Sequence, residues 1–282
     1  MTTTDGSGPV TDSRARLRDA RAFIFDMDGV LYRGAVPLPG VNDLFNALEL
    51  RERHYILATN NSMSSPAEYV VKLSAMGVTV APEVIITAGT ATRDYLLEHL
   101  PATAKIFVVG MPALEEQLFD GTPFQRVHSI EERADAVVTG LDLNFTYDKL
   151  RIAAVSIRNG AQFVATNADA TLPTEHGLVP GAGSIVAAIT TASGKAPVVI
   201  GKPSPRVIEQ AVANLGLQPN QAVMIGDRLD TDILAGHRAG LHTVLVLTGV
   251  STRDDLATAE VLPDFVFTDL PAMLEAIVGN DR

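Results

Sequence analysis

The residues best suited to chemistry are Asp26 and Asp28, which follow the apolar run Phe23-Ile24-Phe25 and precede Gly29. A short apolar run that stops at acids and a glycine reads as a buried strand ending in a tight loop. Side chains alternate along an extended backbone, so both acids can lean toward one space at the strand's carboxyl end. Two crowded carboxylates repel, and holding them together requires a cation or a shared proton.

Three further segments follow, or closely follow, predicted strands. They are Thr59-Asn60-Asn61-Ser62, Lys202 within GKPSP, and Asp227 and Asp232 within GDRLDTD. If their strands are neighbours in one parallel sheet, all four segments line one rim. Such a rim holds acids, a small hydroxyl with amide donors, and a lysine, an inventory that suits phosphoryl transfer. Asp26 can attack phosphorus as a carboxylate nucleophile. Thr59 and nearby amides can grip phosphate oxygens, and Lys202 offsets their charge. A hard cation such as Mg2+ takes oxygen ligands and relieves the repulsion between Asp26 and Asp227. Asp28 can protonate the leaving oxygen and then take a proton from water.

The elements that must position these residues alternate along the chain. Candidate strands cover residues 22–25, 55–58, 84–86, 106–109, 136–138, 163–165, 198–200, 222–225, 243–247 and 265–267. Between them, Val41, Leu44, Phe45 and Leu48 share one helical face. Val207, Ile208, Ala211, Val212 and Leu215 share another, after the start signal Ser204-Pro205. Helices alternating with buried strands predict a parallel α/β sheet covered on both sides. The chemical signals gather toward the chain ends, with few between residues 97 and 197, which predicts a core interrupted by an inserted domain. The expected division is a loose tail over 1–18, a core over 19–96 and 198–282, and an insertion over 97–197.

The four segments resemble the four ordered motifs of the haloacid dehalogenase (HAD) superfamily of phosphatases: DMDGVLYRG, TNNS, GKPSP and GDRLDTD. Motif order and the long insertion are similar to subfamily IIA, the NagD-like enzymes with a type C2 cap. The resemblance implies a Rossmann-like core with an inserted α/β cap and Mg2+-dependent hydrolysis of a phosphomonoester through an aspartyl-phosphate. It makes Asp26 the nucleophile and Asp28 the general acid/base, with Thr59 and Lys202 on the phosphate. Asn60, with Asn61 beside it, positions the loop or the phosphate. The implied metal ligands are Asp26, the Asp28 backbone carbonyl and Asp227, with Asp232 hydrogen-bonding behind them. Residues 165–177, ATNADATLPTEHG, resemble the substrate-facing cap loop, which makes Asn167 and Asp169 candidates for substrate binding. Relatives with this cap act on nucleoside monophosphates, glycerol phosphates, sugar phosphates or pyridoxal phosphate. They often pair through the cap, which leaves a homodimer open.

Simpler readings compete with these. Asp-x-Asp-Gly also begins calcium loops, but from Asp26 the fifth position is Val30 and the twelfth Pro37, where oxygen ligands are needed. Acids in such loops often only form turns or cap helices, and Asp230 is the best candidate for that role. Pro180-Gly181-Ala182-Gly183-Ser184 lacks the glycine pattern of a dinucleotide fingerprint and the Gly-Lys of a P-loop, so it reads as a turn into a helix. The six histidines sit in no metal-binding spacing. A dehalogenase has no use for Asp28 or Asp227. A phosphomutase keeps all these residues, and a phospho-ligand sensor does not need Asp28.

Bulk properties fit a small-molecule enzyme. The 282 residues suffice for one large domain or two modest ones, and 46% hydrophobic content supports ordinary cores. A net charge of -11 argues against nucleic-acid or anionic-membrane partners. With no cysteine there are no disulfides or thiolate sites, and with no secretory signal or membrane-length apolar run the expected setting is cytoplasmic.

Overall fold

The computed structural model of the chain describes residues 13–174 and 177–279. The expected tail thus lies outside the described residues up to position 12, and a helix over Ser13–Asp19 follows. The chain divides into two compact units, one formed by residues up to Tyr55 and from Val212 onward, the other by Ile56–Ala211. The His54–Thr59 strand and the Arg206–Asn214 helix run from one unit into the other.

In the first unit the Ala22–Phe25 strand is buried at all four positions and pairs in parallel with Ala222–Gly226, Phe25 opposite Ile225. His242–Val246 and then Phe265–Phe267 continue the parallel order. The His54 amide donates to the Arg21 carbonyl at 3.0 Å, which brings the next strand in at its start. Strands buried on both faces read as continuous apolar runs, which is why FIF and AVMI were legible without alternation. The Val41–Glu49 helix buries Val41, Leu44, Phe45 and Leu48, the predicted face. Phe45 carries that face into the core, edge-on to Phe25 at 5.7 Å and stacked on Tyr55 at 4.6 Å.

The second unit has a five-stranded parallel sheet in the order Val198–Val199, Gln162–Ala165, Ala136–Thr139, Lys105–Val109, Gln125–Arg126. The Tyr147–Arg158 and Ala182–Ser193 helices cover it, and Phe107, Val137, Ile152, Ile157, Phe163 and Ile189 fill the space between. Separately, His54–Thr59 pairs in parallel with Ile85–Thr87, Thr59 opposite Thr87. Helix starts follow capping chemistry. Ser65 accepts from the Glu68 amide while Glu68 accepts from the Ser65 amide, and Thr87 and Thr90 do the same for Ala88–His99.

All ten predicted strands are present, with shifted ends: Thr59 closes its strand, and Ile200 and Leu247 fall outside theirs. Three pieces gave no signal. Tyr32–Arg33 pairs with Val36–Pro37, Gln125–Arg126 is a two-residue edge strand, and Thr171–Thr174 forms a hairpin with Gly177–Pro180. Two-residue strands are too short for periodicity to register. Among the described residues, no helix is long and apolar enough to cross a membrane.

Candidate active site

The acids of the first unit converge. Asp26 follows the Ala22–Phe25 strand and Asp227 follows its neighbour Ala222–Gly226, so parallel pairing delivers both to the same edge. Carboxylate oxygens of Asp26, Asp227 and Asp232 all lie within 4.8 Å of one another. Asp227 and Asp232 are 2% and 1% exposed, and Asp26 is half-buried. Asp28 is exposed, and its backbone bridges to Tyr32.

Backbone amides hold this cluster. One Asp232 oxygen accepts from the Asp227 amide at 3.2 Å and the Arg228 amide at 3.1 Å, across the π-helical turn Leu229–Ile233. Asp227 Oδ2 accepts from the Val250 amide at 2.7 Å, and the Thr248 hydroxyl donates to the Gly29 carbonyl at 2.6 Å. Three glycines make room. Gly29 has φ +84°, and a Cβ there would lie 2.6 Å from Asp227 Oδ2. A Cβ on Gly249 would strike the same carboxylate, and one on Gly226 would strike Asp232. Gly226 and Gly249 were not singled out from sequence; the signal available was a glycine at or just after the end of a buried apolar run.

The second unit gathers the amide and lysine groups. Thr59 is buried, and its hydroxyl accepts from the Asn61 amide at 3.2 Å. Asn61 Oδ1 accepts from the Met63 amide at 2.7 Å. Lys202 is 2% exposed, and its ammonium donates to the Ala58 carbonyl at 3.1 Å. The Asn60 side-chain amide donates to the Lys202 carbonyl at 2.8 Å and to Asp169 Oδ2 at 3.2 Å. Asn167 donates to the Asn60 carbonyl at 2.9 Å and accepts from the Asp169 amide at 3.1 Å. Thr59, Asn60, Asn61, Lys202, Asn167 and Asp169 therefore form one neighbourhood, in which Asn60 and Lys202 are hydrogen-bonded across 142 residues of sequence.

Two readings of lesser segments are also resolved. The Ala182–Ser193 helix begins in the glycine turn, but its first amides are committed: Gly181 donates to the Ala170 carbonyl and Gly183 to the Asp169 carbonyl, each at 2.9 Å. Asp230 is exposed and takes a two-pronged hydrogen bond from Arg228, at 3.1 and 2.9 Å. That guanidinium holds the Asp230 carboxyl below the usual carboxylate range. A buried polar seam was missed: Gln117 bridges the Ser62 carbonyl, at 3.2 Å, and the Thr87 hydroxyl, at 2.5 Å. A lone glutamine in a helix carries no periodic signal that marks it as buried.

Three hard oxygen donors of like charge, two buried and one half-buried, are a donor set that suits a small divalent cation. A parallel α/β fold presenting carboxylates at strand ends defines an enzyme of the kind that works at a sheet's carboxyl edge.

Comparison with known proteins agrees. Residues 23–121 match the haloacid dehalogenase-like hydrolase family model, and residues 199–273 match a HAD-hydrolase-like model. An acid sugar phosphatase of Staphylococcus aureus is 37% identical over 254 residues, 90% of this chain and 96% of that protein. The crystal structure of a 4-nitrophenylphosphatase from Thermotoga maritima superposes with TM-score 0.86 at 36% identity, covering 93% of this chain and 99% of that one. A glycerol phosphate phosphatase from Mycobacterium tuberculosis, solved with magnesium, gives 0.84 at 36% identity, covering 91% and 77%. The chain belongs to the haloacid dehalogenase-like hydrolases, in keeping with the NagD-like subfamily IIA, and it is a phosphatase.

Proposed function

We propose that the chain hydrolyses a small phosphomonoester metabolite in a Mg2+-dependent reaction through an aspartyl-phosphate, in a cytoplasmic setting. The observation behind this reading is the Asp26, Asp227 and Asp232 cluster at adjacent strand ends. Sugar phosphates, glycerol phosphate and nucleoside monophosphates are the substrate classes; the first two are supported by the relatives named above.

In this mechanism a carboxylate oxygen of Asp26 forms a bond to phosphorus while the ester P–O bond breaks. Its electron pair leaves on the alcohol oxygen, which Asp28 protonates. Asp28, now ionised, takes a proton from water, and the resulting hydroxide attacks phosphorus, releasing phosphate and restoring Asp26. Thr59 and Lys202 hold the phosphate oxygens, Asn60 and Asn61 position the Thr59 loop, and Asn167 and Asp169 lie on the substrate-side loop. A Mg2+ bound by Asp26, Asp227 and the Asp28 carbonyl, with Asp232 behind them, supplies positive charge for the phosphoryl oxygens. The proposed cap spans residues 97–197, which include four strands of the five-stranded sheet but not its Val198–Val199 edge, and excludes water from the reacting centre.

The test is phosphate release across a panel of phosphomonoesters with Mg2+, repeated with EDTA and with Asp26→Asn. Release that stops under both treatments is expected; undiminished turnover by Asp26→Asn sinks the nucleophile assignment. Transfer of labelled phosphate to a second sugar, in place of water, would establish a phosphotransferase instead.

A further inference from the structure

Asn60 stands where three segments of the second unit meet. Its side-chain nitrogen donates to the Lys202 carbonyl at 2.8 Å and to the Asp169 carboxylate at 3.2 and 3.4 Å. Its own carbonyl accepts from Asn167, and Asn167 holds the Asp169 amide. Gly201 locks the side chain in place: its amide donates to the Thr166 carbonyl at 2.8 Å, and a Cβ there would lie 2.6 Å from both Asn60 Oδ1 and Thr166 O. In this position Asn60 Oδ1 is buried with no hydrogen-bond partner among the described residues. A buried unsatisfied acceptor opposes stability, so an arrangement that keeps one is expected to serve another end. What the arrangement secures is both donations of the nitrogen, one to the lysine segment and one to the 166–170 loop.

We infer that Asn60 is a positioning residue that couples the 166–170 loop to Lys202, and that Asp169 acts on phosphate binding through Asn60. The inference rests on the reading of Lys202 as a phosphate-binding group. The Lys202 ammonium is tied to the Ala58 carbonyl two residues before Asn60, so the lysine is fixed by this short stretch at both its backbone and its tip. Asp169 orients the Asn60 nitrogen between the two segments. Displacing the loop at Asp169 therefore displaces the lysine, and a substrate that shifts this loop alters how tightly its phosphate is held.

The test uses the full chain with Mg2+, 4-nitrophenyl phosphate as substrate and inorganic phosphate as a competitive probe of the phosphate site. Asn60→Ala and Asp169→Ala are each expected to weaken phosphate inhibition about 10-fold, the loss of one hydrogen bond to a charged group. The double variant is expected to be no weaker than Asn60→Ala within about 2-fold, because the two act in series. Asp169→Asn keeps an acceptor for Asn60 and is expected to inhibit within about 3-fold of the unaltered chain. Losses that multiply to about 100-fold overturn the coupling, as does Asp169→Ala that raises KM with phosphate inhibition unchanged. If Asn60→Ala fails to fold by circular dichroism, the Asp169 pair decides: Ala weaker than Asn supports the inference, and equal constants overturn it. Lys202→Met separates the underlying reading, because undiminished phosphate inhibition in that variant removes the phosphate site itself.

Discussion

The carboxylate cluster of the first unit and the amide-lysine neighbourhood of the second are built on opposite principles. Asp26, Asp227 and Asp232 bring like charges within 4.8 Å of one another, steadied by backbone amides and by glycines that leave room. Around Asn60, donors and acceptors from Lys202, Asn167 and Asp169 largely answer one another. The first arrangement crowds like charges that the proposed cation would relieve; the second is a framework that holds its own shape. On the proposed mechanism, catalytic power falls to the first set of side chains and structural order to the second, and substitutions should separate them.

The largest separation is expected from Asp26→Asn and Asp227→Asn. On the proposed mechanism both should lower turnover by about 10³-fold or more, as loss of a nucleophile or metal ligand does. Neither should lower the melting temperature measured in EDTA, because an amide removes one of the repelling charges. A marked fall in melting temperature for Asp227→Asn would show the cluster to be structural and erase the contrast. Mg2+ itself should raise the melting temperature of the unaltered chain, by about 2.7 kcal/mol of stability at one hundred times its dissociation constant. The same titration on Asp227→Asn should show a much smaller rise.

Gly249→Ala comes next. Its Cβ would enter the space of the Asp227 carboxylate, so turnover should fall by about 10²-fold, the scale of a misplaced reacting group, while circular dichroism stays native. Unchanged turnover would mean the loop can yield without moving Asp227.

The two regions were also unequally legible in the sequence. Buried parallel strands announce themselves as apolar runs, and the acids ending FIF and AVMIG stood out because charge so rarely follows such a run without purpose. Motif order is the ground for proposing that Thr59 and Lys202 work with those acids. The supports were silent. Gly226 and Gly249 matter only because of what packs beside them, and Gln117 is buried only because Ser62 and Thr87, 55 and 30 residues away, come to meet it. Such roles are properties of contacts between distant segments, and no local pattern encodes them.

Gln117 gives a stability counterpart on the second unit's side. Gln117→Ala should leave the Thr87 hydroxyl and the Ser62 carbonyl buried without this partner, lowering stability by about 2–3 kcal/mol in urea unfolding. Turnover in the absence of urea should change little.

The smallest effect concerns Asp230 and sharpens the contrast within the GDRLDTD segment itself. Arg228 holds the Asp230 carboxyl below its ordinary range, so the pair stabilises the fold above the unfolded carboxylate pKa of about 3.9. That contribution is lost as pH falls through the lower folded value. Because Asp230 is exposed, the pair should be worth at most about 1 kcal/mol and should weaken in salt. Asp230→Asn should therefore match the unaltered chain in turnover near neutral pH, and the small stability gap between them should close below pH 4. A loss of turnover comparable to that of Asp227→Asn would move Asp230 out of the solvent-facing turn and into the reacting cluster.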